Sequence, residues 1–295
     1  MTDLSESLPQ RSTRHPFVDQ LLKAFRTNKL TWVGAVIFVV IVVVALAAPL
    51  LSPYDPLEQH IFDRLEAPSA DYWLGTDAYG RDILSRLLYG ARVSLVIGVA
   101  AIGSAMLIGS AIGIVAGYYG GKIDLVIMQV MDVLLAFPAL ILGLIVVAML
   151  GPSMENLIIA ISLTAVPPFA RIARAPTIVV KERDYIEACR ALGYGDLRIM
   201  TLHVLPNVLS EILVMGSLWL ATAISVEASL SFIGLGVKPP TASWGGMIRE
   251  GFENILDTFW LSLFPSLAIL LVVFSLNLLG DGMRDAIDPK TRTDA

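Results

Sequence analysis

Two acidic residues, Asp132 and Glu227, stand inside long apolar runs. A charged carboxylate at the centre of a membrane helix costs roughly 2.5 kcal/mol or more on insertion scales, so each needs a partner or a watery cavity. Asp132, in the run 126–145, reads first as a hydrogen-bonded or ion-paired tie between helices near the inner surface. Its second reading is a pathway or gating residue. Glu227 lies toward the outer end of its run and fits a gate or solute contact as well as a capping or packing role. A membrane-embedded enzyme would need paired catalytic groups at one depth, and these two candidates sit near opposite faces.

Other chemistries find little support. His15, His60 and His203 lie far apart and none belongs to an H-E-x-x-H pair. Cys189 is the single cysteine, which excludes an internal disulfide framework and a cysteine-rich metal site. No metal site and no cofactor is expected. Gly120-Gly121-Lys122 falls short of a phosphate loop: that motif needs glycine at Ala116 and a hydroxyl residue at Ile123. No nucleophile elbow occurs either. Any ATP chemistry must come from a partner chain, and a net charge of −5 argues against nucleic acid as partner.

The elements that hold these residues are set by composition. Of 295 residues, 56% are hydrophobic and 16% are charged, against roughly a quarter charged in soluble domains. The apolar excess is gathered into blocks long enough to cross a hydrocarbon core, which takes ~20 residues. Barrel strands would instead alternate over ~10 residues. The expectation is an all-α polytopic membrane protein with six transmembrane helices, at 31–51, 93–117, 123–150, 157–172, 208–230 and 259–280. The fourth is short and would need to tilt or extend past Pro167-Pro168. The run 31–51 is too long for a signal-peptide core and reads as a retained first span.

Basic residues orient the chain. Arg11, Arg14, Lys23, Arg26 and Lys29 precede the first span; six more lie between spans four and five; Arg284, Lys290 and Arg292 end the chain. With six spans these segments share one side, so both termini are expected in the cytoplasm. The opposite loop, 52–91, is rich in acid. Organisation follows as residues 1–88 (tail, first span, external loop), a five-helix core at 89–282, and a tail at 283–295. Gly109, Gly113 and Gly117 recur every fourth residue, a ridge that lets another helix approach closely, within the chain or on a partner. No internal repeat is evident, which weakens an inverted-repeat secondary transporter.

The segment 171–207 is too patterned for a simple connector. Residues 181–192 favour helix, with Tyr185, Ala188 and Leu192 on one face. Gly193-Tyr194-Gly195 can end that helix, Asp196 can cap a second, Leu205-Pro206 disfavours continued helix, and Asn207 can cap the fifth span. This describes a helix–turn–helix outside the bilayer, a docking surface or an amphipathic hairpin on lipid headgroups.

That segment resembles the cytoplasmic "EAA" loop of binding-protein-dependent ABC importer permeases. Glu187, Ala188, Gly193, Leu205 and Pro206 match E-A-A-x3-G-x9-I-x-L-P at its spacing, with Cys189 for the second alanine and His203 for the isoleucine. His203-Val204-Leu205-Pro206-Asn207 resembles the dipeptide, oligopeptide and nickel branch, and its C-type permease subunit in particular. So do Leu74-Gly75-Thr76-Asp77 with Gly80-Arg81-Asp82 and Ser85-Arg86, the stretch from Ser229 to Gly236, and the ending from Gly280 to Pro289. The resemblance implies the type I ABC importer permease fold in a bacterial cytoplasmic (inner) membrane. It implies a heterodimer with a second permease, two cytoplasmic ATPase subunits and an extracytoplasmic solute-binding protein, all embedded in or on lipid. Glu187, Ala188, Gly193, Leu205 and Pro206 become ATPase-coupling positions, and ATP hydrolysis belongs to the partners. The cargo implied is a di- or oligopeptide or related small solute. An ATPase-independent secondary transporter or channel is the competing class.

The topology has a direct test. In a Cys189→Ser background, a cysteine at position 196 should react with an impermeant maleimide only after the membrane is opened. Labelling in intact cells would reverse the orientation.

Overall fold

Long apolar runs bounded by glycine and proline fold as helices because a bilayer leaves backbone groups no partner outside their own segment. The computed structural model describes residue 25 and residues 29–287, and the tails carrying His15, Arg11, Lys290, Arg292 and the Asp288-Pro289 pair lie outside the described residues. Helix α1 spans Lys29–Leu46 and is followed by the short α2, Ala48–Leu51. Helix α3 spans Ile83–Tyr119, α4 Gly121–Leu135, α5 Ala139–Leu150 and α6 Met154–Lys181. The connector carries α7, Asp184–Ala191, and α8, Asp196–Ile199; α9 then spans Leu205–Phe232, α10 Trp244–Glu253 and α11 Trp260–Ile287. Among the described residues no strand forms, only an isolated bridge between Thr76 and Asp82.

Five helices are long and apolar enough to cross a membrane, and α4 with α5, bent by 87° to one another, pass the same test of length and composition as a pair, which makes six when the pair is one span. The expected straight span at 123–150 is therefore a broken one. Pro138 caps α5 with φ −54° and ψ 133°. A proline pushes the residue before it out of the α region and gives no N–H to the preceding turn. The fourth span runs the other way. It continues through Pro167, Pro168 and Pro176 to Lys181, so Arg171 and Arg174 lie on a helix and not in a loop. The second span starts at Ile83, with Asp82 accepting from the Ser85 N–H as its cap, so 83–91 belongs to a helix too. The divisions expected at 88/89 and 282/283 both fall inside helices, α3 and α11.

The core is the α3–α6 pair. A Cβ on Gly109 would lie 2.5 Å from the Val166 carbonyl oxygen, on Gly113 2.1 Å from that of Ala170, and on Gly117 2.8 Å from that of Arg174. Each step of four residues on α3 matches a step of four on α6. Both numbers rise together, so the two helices run parallel with their backbones in contact. The glycine ridge thus serves packing within the chain. Around it Phe169, Ala170, Ile161, Leu157 and Ile97 are fully or almost fully buried. Helix α1 stands apart and buries only Thr31, Gly34 and Ala45. It leans on α11, where Gly34 faces Leu278 and Ser275 while Gly282 faces Thr31.

Gly113→Val must push α3 away from α6. Overpacking typically costs about 1–3 kcal/mol, so the purified variant should unfold at a lower temperature. Gly103→Ala, where an added Cβ meets nothing within 4 Å, should be neutral or stabilise by up to ~1 kcal/mol. Equal effects at both positions would remove the packing account of the ridge.

Candidate functional site: the coupling segment and the buried charges

The connector after α6 folds as the helix–turn–helix expected, with local corrections. Asp184 and Glu187 lie in the first turn of α7 and Arg190 in its last, each sign suited to the helix dipole. Leu192 N–H bonds to Ala188 O, Gly193 N–H to Arg190 O and Tyr194 N–H to Cys189 O. Gly193 has φ +80°, a left-handed ending that suits glycine because it lacks a Cβ. Nothing lies within 4 Å of where its Cβ would be. Backbone conformation, not crowding inside this chain, therefore calls for glycine.

Helix α7 has one face turned into the chain and one turned away from it. Ile186 and Cys189 point into the core, whereas Tyr185 and Leu192 are 44% and 74% exposed. Glu187, Ala188 and Gly193 are exposed as well. Asp196 is the first residue of α8 and not its cap, which is Gly195. Its carboxylate instead accepts a hydrogen bond of 2.9 Å from the Tyr118 hydroxyl, tying the turn to the end of α3. Cys189 Sγ lies 3.6 Å from His203 Nε2, and the His203 ring stacks on Tyr194.

Leu205-Pro206 does not break the chain into two helices. Residues Met200–Val204 form a π-helical turn, with Leu205 N–H bonded to Met200 O. Pro206 then falls in the first turn of α9, where a missing N–H costs little. Asn207 donates to His203 O at 2.6 Å and does not cap the helix. Leu205 packs on the core and Pro206 is exposed.

The charges inside the spans are separated. Asp132 on α4 pairs with Arg171 on α6, and both side chains are more than half exposed. Asp124 pairs with Arg174 between the same two helices. Sequence reasoning counted both arginines with the basic residues of the following connector and so missed them as partners on a helix. Glu227 is completely buried. It accepts from Ser94 Oγ of α3 at 3.0 Å and from Ser231 Oγ of its own helix at 2.7 Å. In this conformation it touches no solvent and ties α9 to α3.

At the opposite end of the bundle from the coupling segment, the Gly75–Arg86 signature builds a second charged cluster. Asp77 receives Arg81 Nε at 2.6 Å and lies 3.0 Å from Arg86 Nε. Glu250 on α10 lies 3.3 Å from Arg81 Nη2 and 3.6 Å from Arg86 Nη2. All but Glu250 are nearly inaccessible. Nearby, burial and the adjacent Asp63 raise the Tyr72 hydroxyl to about 12, so it stays a donor to Asp63 at 3.0 Å. Glu250 could not be placed in this cluster from the sequence, since more than 160 residues separate it from its partners.

Two family models match this chain: the binding-protein-dependent transport system inner membrane component over residues 109–293, and the N-terminal TM domain of oligopeptide transport permease C over 17–68. The chain belongs to the binding-protein-dependent inner membrane permeases. It is 42% identical to the dipeptide transport system permease protein DppC of Alkalihalophilus pseudofirmus, over 93% of this chain and 90% of that one. It is 44% identical to the glutathione transport system permease protein GsiD of Pectobacterium atrosepticum, over 88% and 87% of the two chains. Among solved structures, the inward-facing methionine ABC transporter MetNI superposes with a TM-score of 0.56 at 16% identity, covering 70% of this chain and 98% of that one. That likeness extends to the fold. The permease is thus a multi-pass bacterial inner-membrane subunit of an ABC importer, and the ATPase-independent class is set aside.

The Asp132–Arg171 pair can be tested by exchange. Asp132→Arg should lower the yield of assembled permease, and adding Arg171→Asp should restore it. A double-mutant cycle on unfolding midpoints should give coupling on the order of 0.5–1 kcal/mol, the range for an exposed pair. Strictly additive effects would mean that the contact ties nothing.

Proposed function

We propose that this permease pairs with a second permease subunit, two cytoplasmic ATPases and an external solute-binding protein to import small peptides, and that residues 184–207 receive the ATPase stroke. The observation that carries the coupling assignment is the division of α7 into two faces. Ile186, Cys189 and the Tyr118–Asp196 bond anchor the segment to α3 and the core, while Glu187, Ala188, Leu192 and Leu197 are left outward around an open Gly193 turn. A rigid attachment behind and an unfilled surface in front suit an element that transmits force between chains. The peptide assignment draws on relatives named for dipeptide, glutathione and peptide transport.

The mechanism is alternating access. ATP binding draws the ATPases together, the two coupling segments move with them, and the paired bundles switch from inward- to outward-facing. The binding protein then releases its solute, and product release resets the state. Energy enters as the difference in ATPase affinity for the two permease conformations. Displacing α7 must displace the end of α3 through Tyr118, and α6 through its backbone contact with α3. Both termini and this segment face the cytoplasm in the proposal. Residues 1–88 then serve as an appendage and 89–282 as the moving core.

Glu187→Arg and Gly193→Val should leave the chain in the membrane yet abolish peptide uptake and reduce ATPase co-purification. A left-handed backbone costs a side-chain-bearing residue ~1 kcal/mol or more, so Gly193→Val should distort the turn only locally. Membrane level, co-purification and uptake are read on the same variants. Normal uptake by Gly193→Val would rule out this segment as the transmission element.

A further inference from the structure

A cavity of about 610 Å³ opens beside the Asp77–Arg81–Arg86–Glu250 cluster, at the end of the bundle away from the coupling segment. Its size falls in the range of small-molecule sites, roughly 300–1,000 Å³. Arg81, Arg86, Lys238 and Arg249 line it, against Glu250 and Glu253. Even with Asp77 counted beneath the floor, the cations outnumber the carboxylates four to three. Arg81 and Arg86 are balanced by Asp77 and Glu250, but Arg86 is 4% exposed and its Nη1 has no hydrogen-bond partner. Its Nε lies 3.0 Å from Asp77 but out of hydrogen-bond alignment. Leaving a buried guanidinium N–H unpaired is costly, and an incoming anion would relieve it.

The rim is more adaptable. Lys238 is exposed. Arg249 pairs with Glu253 at 2.9 Å, with both side chains about half exposed, a kind of contact that contributes little and exchanges easily. The Arg249 guanidinium lies over Gly234, where an added Cβ would come within 1.7 Å of Nη1. That glycine keeps the space into which the arginine reaches. Burial first, and the neighbouring Asp77 charge second, push the Glu250 carboxyl up, against the pull of Arg86 and Arg81.

We propose that this cavity is a carboxylate subsite, which receives a carboxylate of the transported solute at the outer end of the bundle, with Lys238 and Arg249 as contacts and Arg86 as the positive floor. A concave site lined by more cations than carboxylates concentrates an anionic group before the bundle switches. The proposal rests on the importer reading above and adds the chemical class of the cargo to it.

The probes are glycylglycine and its C-terminal amide, which differ only in the carboxylate. Titrated onto the assembled complex without binding protein, glycylglycine should bind and the amide should bind at least about tenfold more weakly. Lys238→Gln with Arg249→Gln should remove most of that preference; both residues are at the rim, so folding is retained. Arg86→Lys, which keeps the charge, should retain part of the preference. Equal binding of acid and amide, or no binding of either, would overturn the proposal. So would a rim variant that binds glycylglycine normally but needs more binding protein for half-maximal ATPase stimulation, because the cavity would then be a docking surface. A complex that shows the carboxylate preference but imports no peptide would remove the peptide reading and leave the subsite standing.

Discussion

The contact on which the rest depends is the approach of the α3 backbone to the α6 backbone along Gly109, Gly113 and Gly117. Lipid is as apolar as a leucine side chain, so burying more leucine gives helices no reason to associate in a bilayer. Dense van der Waals contact does, and it needs small residues. Here the approach also fixes direction, since α3 and α6 run parallel. The intervening crossing must therefore return the chain to its starting side, and α4 with α5 do so with an 87° break. Two other close contacts, Gly34 and Gly282 between α1 and α11, attach the first span to the outside of that core.

Polar groups inside the bundle follow two different solutions. Glu227 is enclosed and its lone pairs are taken by two serine hydroxyls, one from a neighbouring helix. Such an arrangement fixes helix register, since either helix sliding by a turn would leave the carboxyl without that donor. Asp132 and Arg171 instead stay half exposed and neutralise each other. The first is built for constancy. The second leaves both groups within reach of water or another chain.

The coupling segment is joined to the bundle by a π-helical turn and a proline in place of a flexible loop. The helical path is continuous from Asp196 through Phe232. Tyr118 adds a second path into α3. Both paths meet again at Glu227, where α3 and α9 are tied. The same two helices reach the charged cavity at the other end.

The sequence alone determined what depends on neighbours along the chain. Apolar run length gave the spanning helices, the Gly193 turn gave the helix–turn–helix, and four ordered motifs gave the family and the fold. It failed where a local signal was outweighed or had no local form. Pro138 marked the break in the third span, but an apolar run on both sides masked it. The extension past Pro167-Pro168 was open from the sequence, but its length to Lys181 was not, because α6 is held helical against the glycines of α3. The pattern of α7 put Tyr185, Ala188 and Leu192 on one face but could not say what that face meets; Ile186 with Cys189 took the inward place by meeting the core. The pairing of Asp132 with Arg171, of Glu227 with Ser94, and of Arg81 and Arg86 with Glu250 was set only by tertiary structure. An ion pair or hydrogen bond between helices depends on how they cross, and no spacing along one helix encodes a distance to another.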